Sequence, residues 1–244
     1  VNAIEARDLS FSYAGAAAPV FSGLSFSVPV GARCLLFGGN GVGKSTLLRL
    51  CAGRHMLPHA ALRVFGRPAF EDTALAAEVA FLGGPFPFDV DLSVGEILRA
   101  RPGIDPARRA RALDILGVDP GWRMHRVSDG QRRRVQILLE LERSLRLILL
   151  DEVTAELDVV GRADLLAWLR EESEQRGLTV VYASHVLDGL ADFGTEVLFL
   201  SPGRLRAHQP IGAALGRFGS LARLCETWMR EDRDGDFPGR PPRQ

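Results

Sequence analysis

The 244-residue sequence is short of cysteine, lysine and long apolar runs, and it carries no net charge. Its three cysteines, Cys34, Cys51 and Cys225, share no metal-ligand spacing, and their odd number argues against a disulfide framework. Reduced thiols point to a cytoplasmic setting, or a nuclear one in a eukaryote. The longest apolar runs, such as Leu147 to Leu150, fall far short of a bilayer span, and no basic-then-apolar signal opens the chain. The expectation is therefore a chain with no direct membrane insertion. Acidic and basic residues balance at 30 each, so no global electrostatic signal favours nucleic acid. With 46% hydrophobic and 25% charged residues and no internal repeat, the chain can bury one sizeable core with room for a subdomain.

Lysine occurs once, at Lys44, and the other 29 basic residues are arginine. That lysine stands in Gly38-Gly39-Asn40-Gly41-Val42-Gly43-Lys44-Ser45-Thr46, after the apolar run Cys34 to Phe37 and before the helix-like Leu47 to Leu50. Glycines let a backbone wrap a polyphosphate with its N–H groups turned inward, and a following helix presents its N-terminus to the same anion. In such a P-loop Lys44 reaches the β- and γ-phosphates and Ser45 ligates Mg²⁺. An ordinary Gly-rich turn is the competing reading, but the full pattern arises by chance in a chain of this length only about one time in a hundred. A compact ammonium fits among phosphates where a planar guanidinium does not, which explains why lysine survives at this one position.

The order of the remaining motifs extends the reading. Ala3 to Tyr13 and Phe21 to Val28 alternate apolar with polar residues and predict a β-rich start. Leu62 to Phe65 and Val79 to Leu82 read as further strands, and Ser93 and Asp105 open two helices of a small middle section whose Arg108, Arg109 and Arg111 read as a solvated face. Ser128 to Gln131 has the spacing of a capping box, which fits both a plain helix start and an anion site at a helix N-terminus. Leu147 to Leu150 is a buried strand ending in Asp151 and Glu152, one carboxylate for Mg²⁺ and one to act as general base on a water. The strand Leu178 to Ala183 ends in Ser184-His185, an imidazole at the same sheet edge. Phe218, Leu221, Leu224, Trp228 and Met229 mark one face of a single short amphipathic helix.

Together the P-loop, Val127-Ser128-Asp129-Gly130-Gln131, Leu147 to Glu152 and His185 resemble an ATP-binding cassette (ABC) ATPase. The resemblance implies an α/β fold: a P-loop NTPase (RecA-like) core, an N-terminal antiparallel β subdomain and an inserted α-helical subdomain at about residues 90–143. It covers residues 1–206, followed by a helical extension over 207–230 and a disordered tail over 231–244. It also implies ATP and Mg²⁺ as ligands, with Gly38, Gly39, Asn40, Gly41, Val42, Gly43, Lys44, Ser45 and Thr46 around the phosphates. Tyr13 would stack on adenine, Ser45 and Asp151 hold the metal, and Glu152, His185 and Lys44 carry hydrolysis. In a head-to-tail homodimer Ser128, Gly130 and Gln131 would face the other copy's nucleotide, and Asp158 would lie across the interface. Two positions depart from the pattern: Gly84 stands where transport ATPases place a glutamine, and Asp129 where glycine is usual. Stretches such as SDGQRRRVQILL and YASHVLDGLADF are similar to a soluble, stand-alone subfamily of fungi and plants. Its fungal members are linked to the transcription and mRNA-deadenylation machinery, which implies a regulatory protein complex as partner. The loop Pro85-Phe86-Pro87-Phe88 is the expected partner surface.

Overall fold

The computed structural model describes residues 1–58, 61–84, 90–154 and 157–234. The expected partner loop, with Phe86 and Phe88, lies outside the described residues, as does the tail from residue 235.

Among the described residues ten strands form two sheets. The smaller one is antiparallel and begins with β1 (Asn2–Phe11) and β2 (Phe21–Pro29). Two short strands, β4 (Leu62–Val64) and β5 (Arg67–Pro68), complete it in the order β2-β1-β4-β5. The larger sheet collects the apolar runs β3 (Arg33–Gly38), β6 (Val79–Leu82), β7 (Leu147–Asp151), β8 (Thr179–Ala183) and β9 (Glu196–Ser201), all parallel where they pair. An antiparallel edge strand, β10 (Arg204–Pro210), closes the order β10-β9-β3-β8-β7-β6. Buried on both faces, these strands read as continuous hydrophobic runs because neither side meets water. Along β3 the side chains alternate between two cores: Leu35 and Phe37 enter one, Cys34 and Leu36 the other. The second core is shared with the antiparallel sheet and with α1 (Lys44–Cys51).

The first core is covered by helices. Between β6 and β7 lie α3 (Val94–Arg99), α4 (Pro106–Leu116) and α5 (Asp129–Leu141), following the short α2 (Leu75–Glu78). Ser93 and Ser128 each close a capping box, with Glu96 and Gln131 respectively, so both predicted helix starts are present. The solvated-face reading of the arginines is corrected at two positions. Arg109 and Arg101 clamp the fully buried Glu142 carboxylate at 2.7 and 2.6 Å, and Arg108 pairs with Glu172 of α6 (Val159–Arg176) at 2.8 Å. Acids contributed by other helices recruit these guanidinium groups, and helical periodicity carries no trace of such partners. Buried carboxylates require that kind of pairing.

The C-terminal region also departs from expectation. Strand β10 runs to Pro210, so the helical extension starts at Ile211 rather than at 207. It consists of two helices beyond the short α7 (Leu190–Phe193): α8 (Ile211–Phe218) and α9 (Leu221–Asp234), separated where Gly219 adopts φ 75°. Trp228 packs edge-on against Phe199 at 4.9 Å and Phe218 at 5.1 Å, seating α9 on its own domain. Helix α9 extends four residues into the stretch expected to be disordered, because Arg206 draws Glu231 and Asp232 onto β10. All three cysteines are free and buried, and burial pushes the Cys51 and Cys225 thiols up to about 12. Among the described residues no helix is long and apolar enough to cross a membrane.

Candidate functional site

The register of the parallel sheet brings the chemistry to one edge. Leu36 of β3 and Asp151 of β7 both align with Ala183 of the intervening β8, so the chain leaves all three strands side by side. From β3 it enters the P-loop, from β7 it continues into Glu152, and from β8 it reaches His185. Ligand sites of open α/β sheets lie at such carboxyl ends.

A cavity of about 340 Å³ opens there, lined by Tyr13, Asn40, Gly41, Gly43, Lys44, Ser45, Thr46, Asp151, Glu152 and His185 together with Val20. Of the P-loop residues expected at the phosphates, Gly38, Gly39 and Val42 do not line it. Gly38 and Gly39 instead receive the Lys44 ammonium on their carbonyl oxygens, at 2.8 and 2.9 Å. Burial holds the Lys44 pKa below its ordinary value, while the Glu152 and Asp151 carboxylates pull the other way. Gly43 turns the chain into α1 with φ 103°, and a Cβ there would lie 2.6 Å from the Phe21 ring. Gly43→Ala should therefore lower stability by about 2 kcal/mol or more, from left-handed strain plus overpacking, as read by urea denaturation.

Glu152 is held in an uncommon backbone conformation, φ 56° in a residue with a side chain. Conformations of this kind cost about 1–3 kcal/mol and persist where surrounding structure imposes them. Here the Glu152 N–H donates to the Ala183 carbonyl at 3.0 Å, extending the β7–β8 pairing one residue past the strand. The His185 backbone N–H donates to Glu152 Oε2 at 3.2 Å, and the imidazole Nε2 stands 3.3 Å from Oε1. Oε1 is buried and has no hydrogen-bond partner among the described residues. A buried acceptor left open beside a primary ammonium and a second carboxylate is the donor set a phosphate-bound metal and a water would complete, so the residues present fit ATP and Mg²⁺. Tyr13 is exposed, donates or accepts at Thr46 Oγ1 at 3.0 Å, and meets the Phe11 and His55 rings edge-on at 5.0 and 5.4 Å.

The four residues expected to face a second copy, Ser128, Gly130, Gln131 and Asp158, also do not line this cavity. Ser128 Oγ accepts from the Gln131 N–H at 3.2 Å and Gln131 Oε1 from the Ser128 N–H at 2.9 Å, which settles the helix-cap half of the two readings. Asp158 caps α6 through the Gly161 N–H at 2.8 Å and pairs with Arg134 of α5 at 2.7 Å. Those two contacts, the Gly161 N–H foremost, hold its carboxyl below the usual range.

Sequence reasoning missed two arginines. Arg134 ties the α5 helix to the Asp158 segment, and Arg133 donates to the Gly84 carbonyl at 3.0 Å, joining α5 to the turn after β6. Nothing in a run of three consecutive arginines distinguishes these roles. Val20 was missed because a lone valine before a strand carries no motif.

The model for the family described as "ABC transporter" matches residues 21–155. The chain is 38% identical over 264 residues to ABC transporter I family member 20 of Arabidopsis thaliana, covering all of this chain and 80% of that protein. It is 37% identical over 223 residues to CCR4-associated factor 16 of Saccharomyces cerevisiae, covering 83% of this chain and 77% of that protein. A solved ATP-binding subunit of an ABC transporter superposes with a TM-score of 0.78 at 24% identity, over 93% of this chain and 99% of the other, a likeness of fold.

Proposed function

The chain belongs to the ABC transporter family as an ATP-hydrolysing cassette, and on that premise we propose that it closes on ATP as a head-to-tail homodimer and acts as a regulatory subunit of a protein complex. The observation that supports the catalytic part is the convergence of Lys44, Ser45, Asp151, Glu152 and His185 on one cavity. Lys44 binds the β- and γ-phosphates and gives up its carbonyl partners to do so. The backbone N–H groups of the P-loop turn and the α1 N-terminus hold the remaining phosphate charge. Ser45 and Asp151 would hold Mg²⁺, which would supply positive charge to offset the charge that develops on the phosphates. Glu152 Oε1 accepts a proton from the attacking water, and His185 orients Glu152 while reaching the terminal phosphate. Tyr13 gives the adenine an aromatic face. In the proposed dimer Ser128, Gly130 and Gln131 serve the nucleotide of the second copy, with Asp158 at the junction between copies; their position away from the cavity of their own chain is compatible with that role.

The regulatory part is supported by Gly84, which offers no side chain where transport ATPases place glutamine, and by the similarity to a CCR4-associated factor. The second reading is the energising subunit of a membrane transporter, favoured by the family's name. Fractionating cells that carry the tagged chain at native level separates the two. Recovery in the membrane-free fraction within a larger assembly is expected, whereas recovery only with membranes, released together with an integral protein, would establish the transporter reading.

A further inference from the structure

On the face of the large sheet that packs against the antiparallel sheet, three side chains of different chemistry meet from three adjacent strands. Cys34 is the second residue of β3, Glu196 is its direct register partner on β9, and His208 lies diagonally across on β10. The Cys34 Sγ, a Glu196 carboxylate oxygen and a His208 ring nitrogen all lie within 4.8 Å of one another. Glu196 Oε2 and His208 Nε2 are 2.9 Å apart. Around them the core is apolar, with Val28, Ala32, Leu36 and Leu198, and the Phe26 ring stands edge-on to the imidazole at 6.5 Å.

From this geometry we propose that Cys34, Glu196 and His208 form a site for a divalent transition-metal ion of the zinc class. Charge supports the assignment: a thiolate and a carboxylate together balance a dication, and neutral imidazole adds a third donor without charge. Ligand type supports it as well. Thiolate and imidazole favour zinc-like ions over Mg²⁺, so the ion of the nucleotide cavity does not compete. Access is available, because Cys34 is fully buried while the Glu196 and His208 side chains remain about one-fifth exposed. An ion can therefore enter from solvent and keep a water in the fourth position, the arrangement of zinc sites with three protein ligands. The site is separate from the nucleotide cavity, since none of the three residues lines that cavity. Cys34 stands four residues before Gly38, roughly 13 Å along the strand. A bound ion would pin β9 and β10 to the strand that delivers the P-loop. Sequence spacing gave no hint of it, because Cys34 lies in a different part of the chain from the other two ligands.

Cobalt titration of the full-length chain tests the proposal, after reduction and chelator treatment and without nucleotide. A thiolate-to-cobalt charge-transfer band should appear, saturate at one cobalt per chain and be displaced by zinc. Cys34→Ala should abolish the band, while Cys51→Ala and Cys225→Ala should retain it. Loss of an outer-shell partner alone weakens metal binding about 10–100-fold, so His208→Ala, which leaves the buried Cys34 in place, should weaken cobalt binding at least about 100-fold. ATP binding by each variant reports an intact fold. Absence of a thiolate band in the unmodified chain at saturating cobalt would overturn the site. So would a band that survives Cys34→Ala, or unchanged cobalt affinity in a His208→Ala chain that still binds ATP.

Discussion

Replacing Glu152 with glutamine should lower ATP hydrolysis by about 10²–10⁴-fold, the range carried by a positioned general base, while ATP binding persists. The substitution keeps the shape of the side chain and an oxygen that can accept the His185 N–H, and it removes only the ability to take a proton. Lys44, Ser45 and Asp151 are untouched, so the nucleotide still binds. If Ser128, Gly130 and Gln131 of one copy complete the site of the other, stalled hydrolysis should also trap the dimer. Light scattering of Glu152→Gln with ATP and Mg²⁺ should give twice the mass of the nucleotide-free sample. Phosphate release at the unmodified rate would remove Glu152 from the role of base. Stalled turnover with a monomer in both samples would leave the base in place and sink the homodimer.

The meeting of Lys44, Asp151, Glu152 and His185 at one sheet edge was legible in the sequence because each of the parts is local. A P-loop, a strand ending in two acids and a strand ending before a histidine each occupy a few adjacent residues, and a parallel sheet brings such strand ends together. The order of the strands was not legible, since the placement of β8 between β3 and β7 follows from crossover connections rather than from any one segment. The same limit applies to long-range polar partners. Glu142 is buried because Arg101 and Arg109 reach it from separate positions, and Arg108 crosses to another helix for Glu172. Helical spacing in α4 shows three arginines on a polar stripe and nothing about what they touch. At the C-terminus an apolar pattern spanning Phe218 to Met229 reads as one helix, although Gly219 breaks it in two. Glycine in a left-handed conformation ends a helix without disturbing the apolar spacing around it.

Lys44→Ala should cost both binding and turnover. A hydrogen bond made by a charged group contributes about 1.5–3 kcal/mol, so loss of the ammonium should weaken ATP binding about 10-fold to 150-fold. On the proposed mechanism the ammonium also faces the oxygen on which charge grows during hydrolysis, and removing one such donor should lower kcat by about a further 10²–10³-fold. The fold should survive, because among the described residues the Lys44 ammonium hydrogen-bonds to the Gly38 and Gly39 carbonyls beside the cavity. Water can replace it there. The direction of the Lys44 pKa sharpens the expectation: burial disfavours the charged form, and the neighbouring Glu152 and Asp151 carboxylates favour it. Phosphates entering the cavity add negative charge on the same side as those carboxylates, so binding strengthens the ammonium rather than neutralising it. Lys44→Arg discriminates charge from shape. In a chain that uses arginine everywhere else, a planar guanidinium at this position keeps the charge but not the compact fit among backbone carbonyls and phosphates, and it should fail nearly as badly as alanine. Titration with a fluorescent ATP analogue measures all three forms. Equal affinity across them would mean that the loop from Gly38 to Thr46 does not hold the nucleotide at all.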